Sequence, residues 1–259
     1  MATTVTAVSQ YVNTVSETVV VMIEGGDNIS VPIGMGLNSN SEDLILYFES
    51  GEVGMVSCPT RVMYEVDFPL FTGWTRVIMC QSLSELESKA AYALANGIPY
   101  EVLGYGLETS SPPEEYEDPL AATQSARTIA NTYGKLLMMA PGYQLMSENE
   151  ELYDDMSALS DIWMFQSQAA QHLYPPGEDY RTECARVIGL IQAGHADIDI
   201  WAQIIYPPAE EPSALDWVDY CMSIADLIEG AYLGVYIWGT GYDYEILWES
   251  TYIFCLRNY

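Results

Sequence analysis

The chain alternates short apolar runs with polar, glycine or aromatic stops along nearly its whole length. Eight runs stand out, at residues 19–26, 53–59, 76–82, 100–108, 136–144, 162–168, 198–204 and 232–239. Their length and their Val, Ile and aromatic content fit strands buried on both faces. From the third run onward, helical periodicity fills the gaps, at 83–95, 118–133, 149–159, 180–193 and 213–227, with a last segment at 244–257. Strands that alternate with helices must pair in parallel. Eight such repeats predict a (β/α)8 TIM barrel, α/β in class.

Local signals sharpen the boundaries. Asp118-Pro119 opens a helix as N-cap and N1 proline. Gly97, Gly134, Gly194 and Gly230 each fall after a helical pattern and before a strand, the place of a C′ residue. The first third is irregular. Residues 1–17 form a Ser/Thr/Val-rich lead-in, 27–40 reads as a loop, and 41–51 as a helix with Ser41 at its N-cap. Prolines and aromatics at 59–74 replace a regular second helix. No linker breaks the cycle, so the reading is a lead-in (1–17) followed by one barrel domain (18–259), with strand one near 19–24 and strand eight near 233–238.

The fold decides where chemistry belongs, at the carboxyl ends of the strands. In the fourth run Val102, Gly104, Gly106 and Glu108 share one face by period-two alternation. Glycines within a strand mark close approach of another group. Glu108 is then aimed into the barrel mouth, where a carboxylic acid with its pKa raised by apolar neighbours can protonate a glycosidic oxygen. Glu24, at the end of the first run, and Asp243, beyond the eighth, are candidates for the second carboxylate of glycoside hydrolysis. Gln203 occupies the seventh-strand position.

Amides and aromatics crowd the same rim. Gln144, Gln166, Gln168 and Gln203 can donate to and accept from sugar hydroxyls at once. Tyr105, Tyr143, Trp201 and Trp238 offer flat apolar faces for sugar C–H groups. These residues are the expected substrate site. The acidic run 114–118 reads as a solvated loop.

Charge narrows the partners. There are 37 Asp+Glu against 8 Lys+Arg, a formal net charge of −29. Such a field repels nucleic acid and anionic membranes, and favours neutral or cationic ligands. A source rich in salt or acid would account for it equally. No apolar run reaches the ~18 residues of a membrane span. The N-terminus lacks the basic and apolar regions of a signal peptide, which fits a cytoplasmic protein or a processed secreted one. The 5 cysteines show no C-x-x-C spacing, and His172 and His195 fall in no ligand motif. No metal and no cofactor is expected. The expected partner is a small-molecule or glycan ligand, and the oligomeric state is left open.

The segments GYGLE, EDPLAAT, LLMMAPGYQL, DIWMFQSQ and ADIDIWAQI together resemble a group of uncharacterised bacterial barrel proteins. More distantly, Glu108 and the terminal GVYIWG are similar to chitinase-like glycoside hydrolases. Gly104 and Gly106 stand where that family carries acids. The resemblance implies a barrel acting on carbohydrate. Two functions follow as expectations: a glycoside hydrolase using Glu108 as general acid/base, or a non-catalytic glycan-binding or surface-assembly protein on the same scaffold.

Overall fold

The computed structural model describes residues 33–36, 55–58, 68, 75–205, 214–224, 227 and 233–238. The strands are β1 (Ile33–Gly36), β2 (Met55–Cys58), β3 (Thr75–Cys80), β4 (Val102–Tyr105), β5 (Leu136–Met139), β6 (Ile162–Gln166), β7 (Asp199–Ile205) and β8 (Leu233–Trp238). All pair in parallel and in chain order, and β8 pairs with β1. The result is a curled parallel sheet flanked by helices, the α/β class that the alternation predicts. The complete strand–helix alternation is described from β3 to α8 (Ala214–Ile224).

One strand needs correction. The position beside β2 and β8 is held by β1 at Ile33–Gly36, inside the segment read as a loop. The stronger apolar run at 19–26 lies outside the described residues, as do the lead-in, the helices expected at 41–51 and 244–257, and Gly230. A four-residue IGMG strand, flanked by Asn and Ser, carries too weak an apolar signal to outrank that run.

The helices begin and end where the local chemistry requires. Ser82 caps α1 (Leu83–Asn96): its side chain accepts from Glu85 N. Gly97 closes it in the left-handed conformation at φ 65°, a backbone that glycine adopts without strain. The acidic run is partly helical, forming the short α2 (Pro113–Glu117). Asp118 accepts from Ala121 N and starts α3 (Pro119–Tyr133), which Gly134 ends at φ 63°. After β5 come α4 (Tyr143–Glu148), a 3-10 turn (Glu150–Leu152) and α5 (Tyr153–Ala158). After β6 come α6 (Gln168–Leu173) and α7 (Glu178–Gly194). Gly194 is the last helical residue and has no positive φ, so the expected C′ role does not hold there. A Cβ on it would overlap the backbone of Asp154, so this glycine allows α7 to approach α5 closely.

Period-two alternation divides the core in two. One set of side chains faces the helices: Ile78 from β3, Leu103 and Tyr105 from β4, Leu137 and Met139 from β5, Trp163 and Phe165 from β6, and Ile200 and Ala202 from β7. They pack on Leu86, Ala90 and Ala93 of α1 and on Ala122, Ala126 and Ala130 of α3, among others. Burying one Leu- or Ile-sized side chain contributes about 1.5–3 kcal/mol. The other set fills the inside of the curl: Val77, Val102, Met138, Ala140, Ile162, Met164 and Trp201. These apolar groups plug the lower interior and leave the space above them, at the carboxyl ends, for a site.

Candidate functional site

A pocket of about 460 Å³ opens above that plug. Its floor and walls follow from strand parity. On β4, Val102 and Gly104 point inward, so Gly106 and Glu108 beyond the strand end point upward into the mouth. β3 and the turn after it add Met79, Cys80 and Gln81; the first turns of α1 add Glu85 and Lys89. β5 ends at Ala140, β6 gives Met164 and Gln166, α6 begins with Gln168, and β7 gives Gln203.

Glu108 is held from two sides. Gln166 Nε2 donates to its Oε1 at 2.7 Å and makes a longer contact of 3.4 Å with Ala140 O. Glu108 N donates to Ser111 Oγ at 3.0 Å, and that buried hydroxyl donates to Gly106 O at 3.3 Å. The Ser111 hydroxyl therefore clamps the backbone on both sides of Leu107 and fixes where Glu108 leaves the chain. No described residue bonds to Glu108 Oε2.

The one ammonium of the described pocket wall is engaged. Lys89 Nζ donates to Met79 O and to Glu85 Oε2, each at 3.1 Å. Burial pushes the Glu85 carboxyl up, but the Gln81 amide and the Lys89 ammonium together outweigh it and leave it below its ordinary value. The Cys80 thiol, pushed up to about 12 by burial, stays protonated and inert at neutral pH. No cluster of three or more His, Cys, Asp or Glu able to hold a metal occurs among the described residues.

The expected site residues separate sharply. Glu108, Gln166, Gln168 and Gln203 meet in the pocket. Gln168 does so from α6, not from an extended strand, because the chain turns helical after β6. Its Oε1 is buried and has no hydrogen-bond partner. Tyr105 is a correction: it lies on the outer face of β4, fully buried, and its hydroxyl donates to Glu115 at 2.6 Å. Alternation from Gly104 and Gly106 already places it there. Glu115 also accepts from Leu83 N at the start of α1, so the acidic segment is pinned to the scaffold. Tyr143 and Gln144 are likewise displaced onto α4, where Tyr143 donates to Glu183 of α7 and the exposed Gln144 to Glu148. The chain after β5 folds outward over the helices there. Trp201 shares the face of Gln203, as parity requires, but one layer lower; it is 6% exposed and belongs to the plug. Trp238 is the last residue of β8, in register with Ile205 and Gly36. Glu24 and Asp243 lie outside the described residues.

Gln81, Glu85, Lys89 and Ser111 are additions that the sequence reading missed. The first follows β3 directly, at the end where sites form. Glu85 and Lys89 carry the i, i+4 spacing of a helical ion pair. Ser111 lies three residues after Glu108, the reach of a side-chain-to-backbone turn.

Neither a protein-family profile nor a curated protein sequence matches the chain. Solved structures do, at the level of fold. A GH18 chitinase from Pseudoalteromonas aurantia aligns with a TM-score of 0.55 at 10% identity, covering 86% of this chain and 98% of that one. A GH128 endo-beta-1,3-glucanase from Amycolatopsis mediterranei, in complex with laminaritriose, aligns at 0.54 and 12% identity, covering 87% and 95%. A putative deoxyribose-phosphate aldolase from Toxoplasma gondii aligns at 0.50 and 10%, covering 88% and 94%. The chain spans only 51% of a truncated 3-deoxy-D-arabino-heptulosonate 7-phosphate synthase from Thermotoga maritima, at 13% identity and a TM-score of 0.40. Glycoside hydrolases and an aldolase thus share this architecture, and the likeness establishes the fold alone.

Proposed function

We propose that this protein is a carbohydrate-active (β/α)8 barrel, with its sugar site in the pocket above the plug and Glu108 as general acid/base. The observation that carries the reading is the Glu108–Gln166 pair at the carboxyl ends of β4 and β6, flanked by Gln168 and Gln203. One carboxylate oxygen is oriented by an amide while the other faces no described partner. Amide side chains around it can donate to and accept from several hydroxyls at once. The return of β8 onto β1 supports the complete barrel, and the glycoside hydrolases among the structural neighbours agree with the assignment.

Hydrolysis with the usual chemistry needs a second carboxylate across the sugar. Among the described residues of the pocket, that other carboxylate is Glu85, and it is tied to Lys89 and Gln81. This favours, as the second reading, a barrel that binds glycans without cleaving them. Chromogenic glycosides and polysaccharides, assayed with the wild type and Glu108→Gln, separate the two. The hydrolase reading expects turnover that falls about 10²–10⁴-fold in the variant, the usual worth of a general acid/base. Turnover unaffected by Glu108→Gln removes Glu108 from the mechanism. Saccharide binding without turnover establishes the second reading.

A further inference from the structure

Building on the carbohydrate reading, we infer that the ligand carries a free amino group, protonated at neutral pH, and that Glu108 receives it. The class is an amino sugar with its amine unsubstituted.

The charge arrangement in the described pocket leads there. Its ionisable groups are Glu85, Lys89 and Glu108, together with the Cys80 thiol, which burial keeps protonated. Lys89 and Glu85 pair at 3.1 Å, so their charges offset each other. Glu108 remains, and its side chain is held by a neutral amide, not a cation. No described cation pairs with that carboxylate. One unmet atom points the same way: Glu108 Oε2 has no described donor. Among the described lining residues the lysine is already engaged by Met79 O and Glu85, and a ligand ammonium supplies Glu108 with both a donor and a positive charge. The rest of the chain reinforces the sign: the net charge is −29, and the acidic α2 is anchored beside the mouth through Glu115 and Leu83. A field of that sign concentrates cations in a cleft. A cavity of about 460 Å³ lies at the lower end of the small-ligand range of roughly 300–1,000 Å³. Met79, Met164 and Ala140 give apolar surface for a ring, and the amides of Gln166, Gln168 and Gln203 give it orientation.

Calorimetric titration of the wild type with glucosamine, N-acetylglucosamine, glucose and 1,4-diaminobutane at pH 7 tests this. Glucosamine is expected to bind at least about tenfold more tightly than either neutral sugar, the worth of a charge-assisted hydrogen bond. The margin should shrink at high sodium chloride and vanish in Glu108→Gln. N-acetylglucosamine or glucose binding as tightly as glucosamine overturns the inference and leaves the carbohydrate reading standing. Diaminobutane binding with no sugar bound overturns the carbohydrate reading and retains an amine site. No binding by any of the four overturns both. Because the decisive comparison is made among ligands of the wild type, it does not depend on how the variant folds.

Discussion

A Cβ built on Gly104 meets the thioether sulfur of Met79 and lies 2.9 Å from Val77 Cγ1 and 3.0 Å from Met138 Cε. Two of these neighbours are flexible methionines, but Val77 is stiff at χ1 and packed inside the curl. Two residues on, a Cβ at Gly106 meets nothing nearer than 3.6 Å. Gly104→Ala should therefore destabilise the fold by ~1–3 kcal/mol, the cost of overpacking, whereas Gly106→Ala should stay within ~0.5 kcal/mol. Urea melts of both variants check this; equal losses would show that the interior yields at position 104. The pair also shows what alternation can and cannot convey. It brought Gly104, Gly106 and Glu108 onto one face and Glu108 into the pocket. It does not say what approaches each glycine: for Gly104 the neighbours are Met79, Val77 and Met138, and the reason is packing. Tyr105 lies near the strand end but has the opposite parity, and parity decides its face. Trp201 has the right parity in the wrong layer, and height along a strand depends on the register between strands, which a single sequence does not display.

Helix boundaries were the most legible elements because they are written in local chemistry. Gly97, Asp118-Pro119 and Gly134 each act through atoms within four residues of themselves. Gly194 looks the same in sequence and behaves differently, because its constraint comes from another helix. A methyl group there overlaps Asp154 O and lies 2.5 Å from Ser157 Oγ and 2.6 Å from the Asp154 carbonyl carbon. Backbone atoms cannot rotate aside, so α7 would have to move off α5. Gly194→Ala should cost at least ~2 kcal/mol, at the upper part of the overpacking range, even though alanine favours helices by ~1 kcal/mol over glycine. Gly97→Ala, with open space but φ 65°, should cost ~1–2 kcal/mol through backbone strain alone. Thermal melts distinguish the two origins. Relieving the crowding with Ser157→Ala should recover part of the Gly194→Ala loss and none of the Gly97→Ala loss. Equal recovery in both would contradict a packing origin. The turn after β5 defeated the sequence reading for a related reason. APGYQ reads as a strand end, yet Tyr143 and Gln144 lie on α4, where Tyr143 meets Glu183 of a distant helix that the local sequence does not reveal.

For the molecule as a whole, charge sets how stability depends on pH and salt. With 37 acids and 8 bases the folded chain repels itself, and screening over a Debye length of about 8 Å at physiological salt should stabilise it. Individual carboxyls act in two pH windows. Arg186 holds Glu183 below its ordinary value. For Glu101, burial pushes up, but hydrogen bonds from Arg76 outweigh it and leave a net lowering. Such lowered groups stabilise the fold above the unfolded carboxylate pKa of about 4.3, and the gain is lost only below it. They are silent between pH 7 and 5. Asp199, first residue of β7 and so at the amino end of the strand, works the opposite way. Burial pushes its pKa up to about 7, against a smaller pull from Trp201, although neither Asp199 Oδ1 nor Trp201 Nε1 makes a hydrogen bond of normal geometry. Between the unfolded value near ~3.9 and about 7 the folded state binds the extra proton, so stability rises as pH falls through that window. Charge repulsion and Asp199 thus have the same sign. The melting temperature should rise from pH 7 to 5 and rise with sodium chloride at pH 7. Asp199→Asn should flatten the pH dependence and raise the pH 7 melting temperature by about 2–4 °C, the shift that ~1 kcal/mol gives a chain of this size. A variant that keeps the full slope would assign the effect to surface repulsion alone. A wild type most stable at pH 7 in low salt would contradict both contributions.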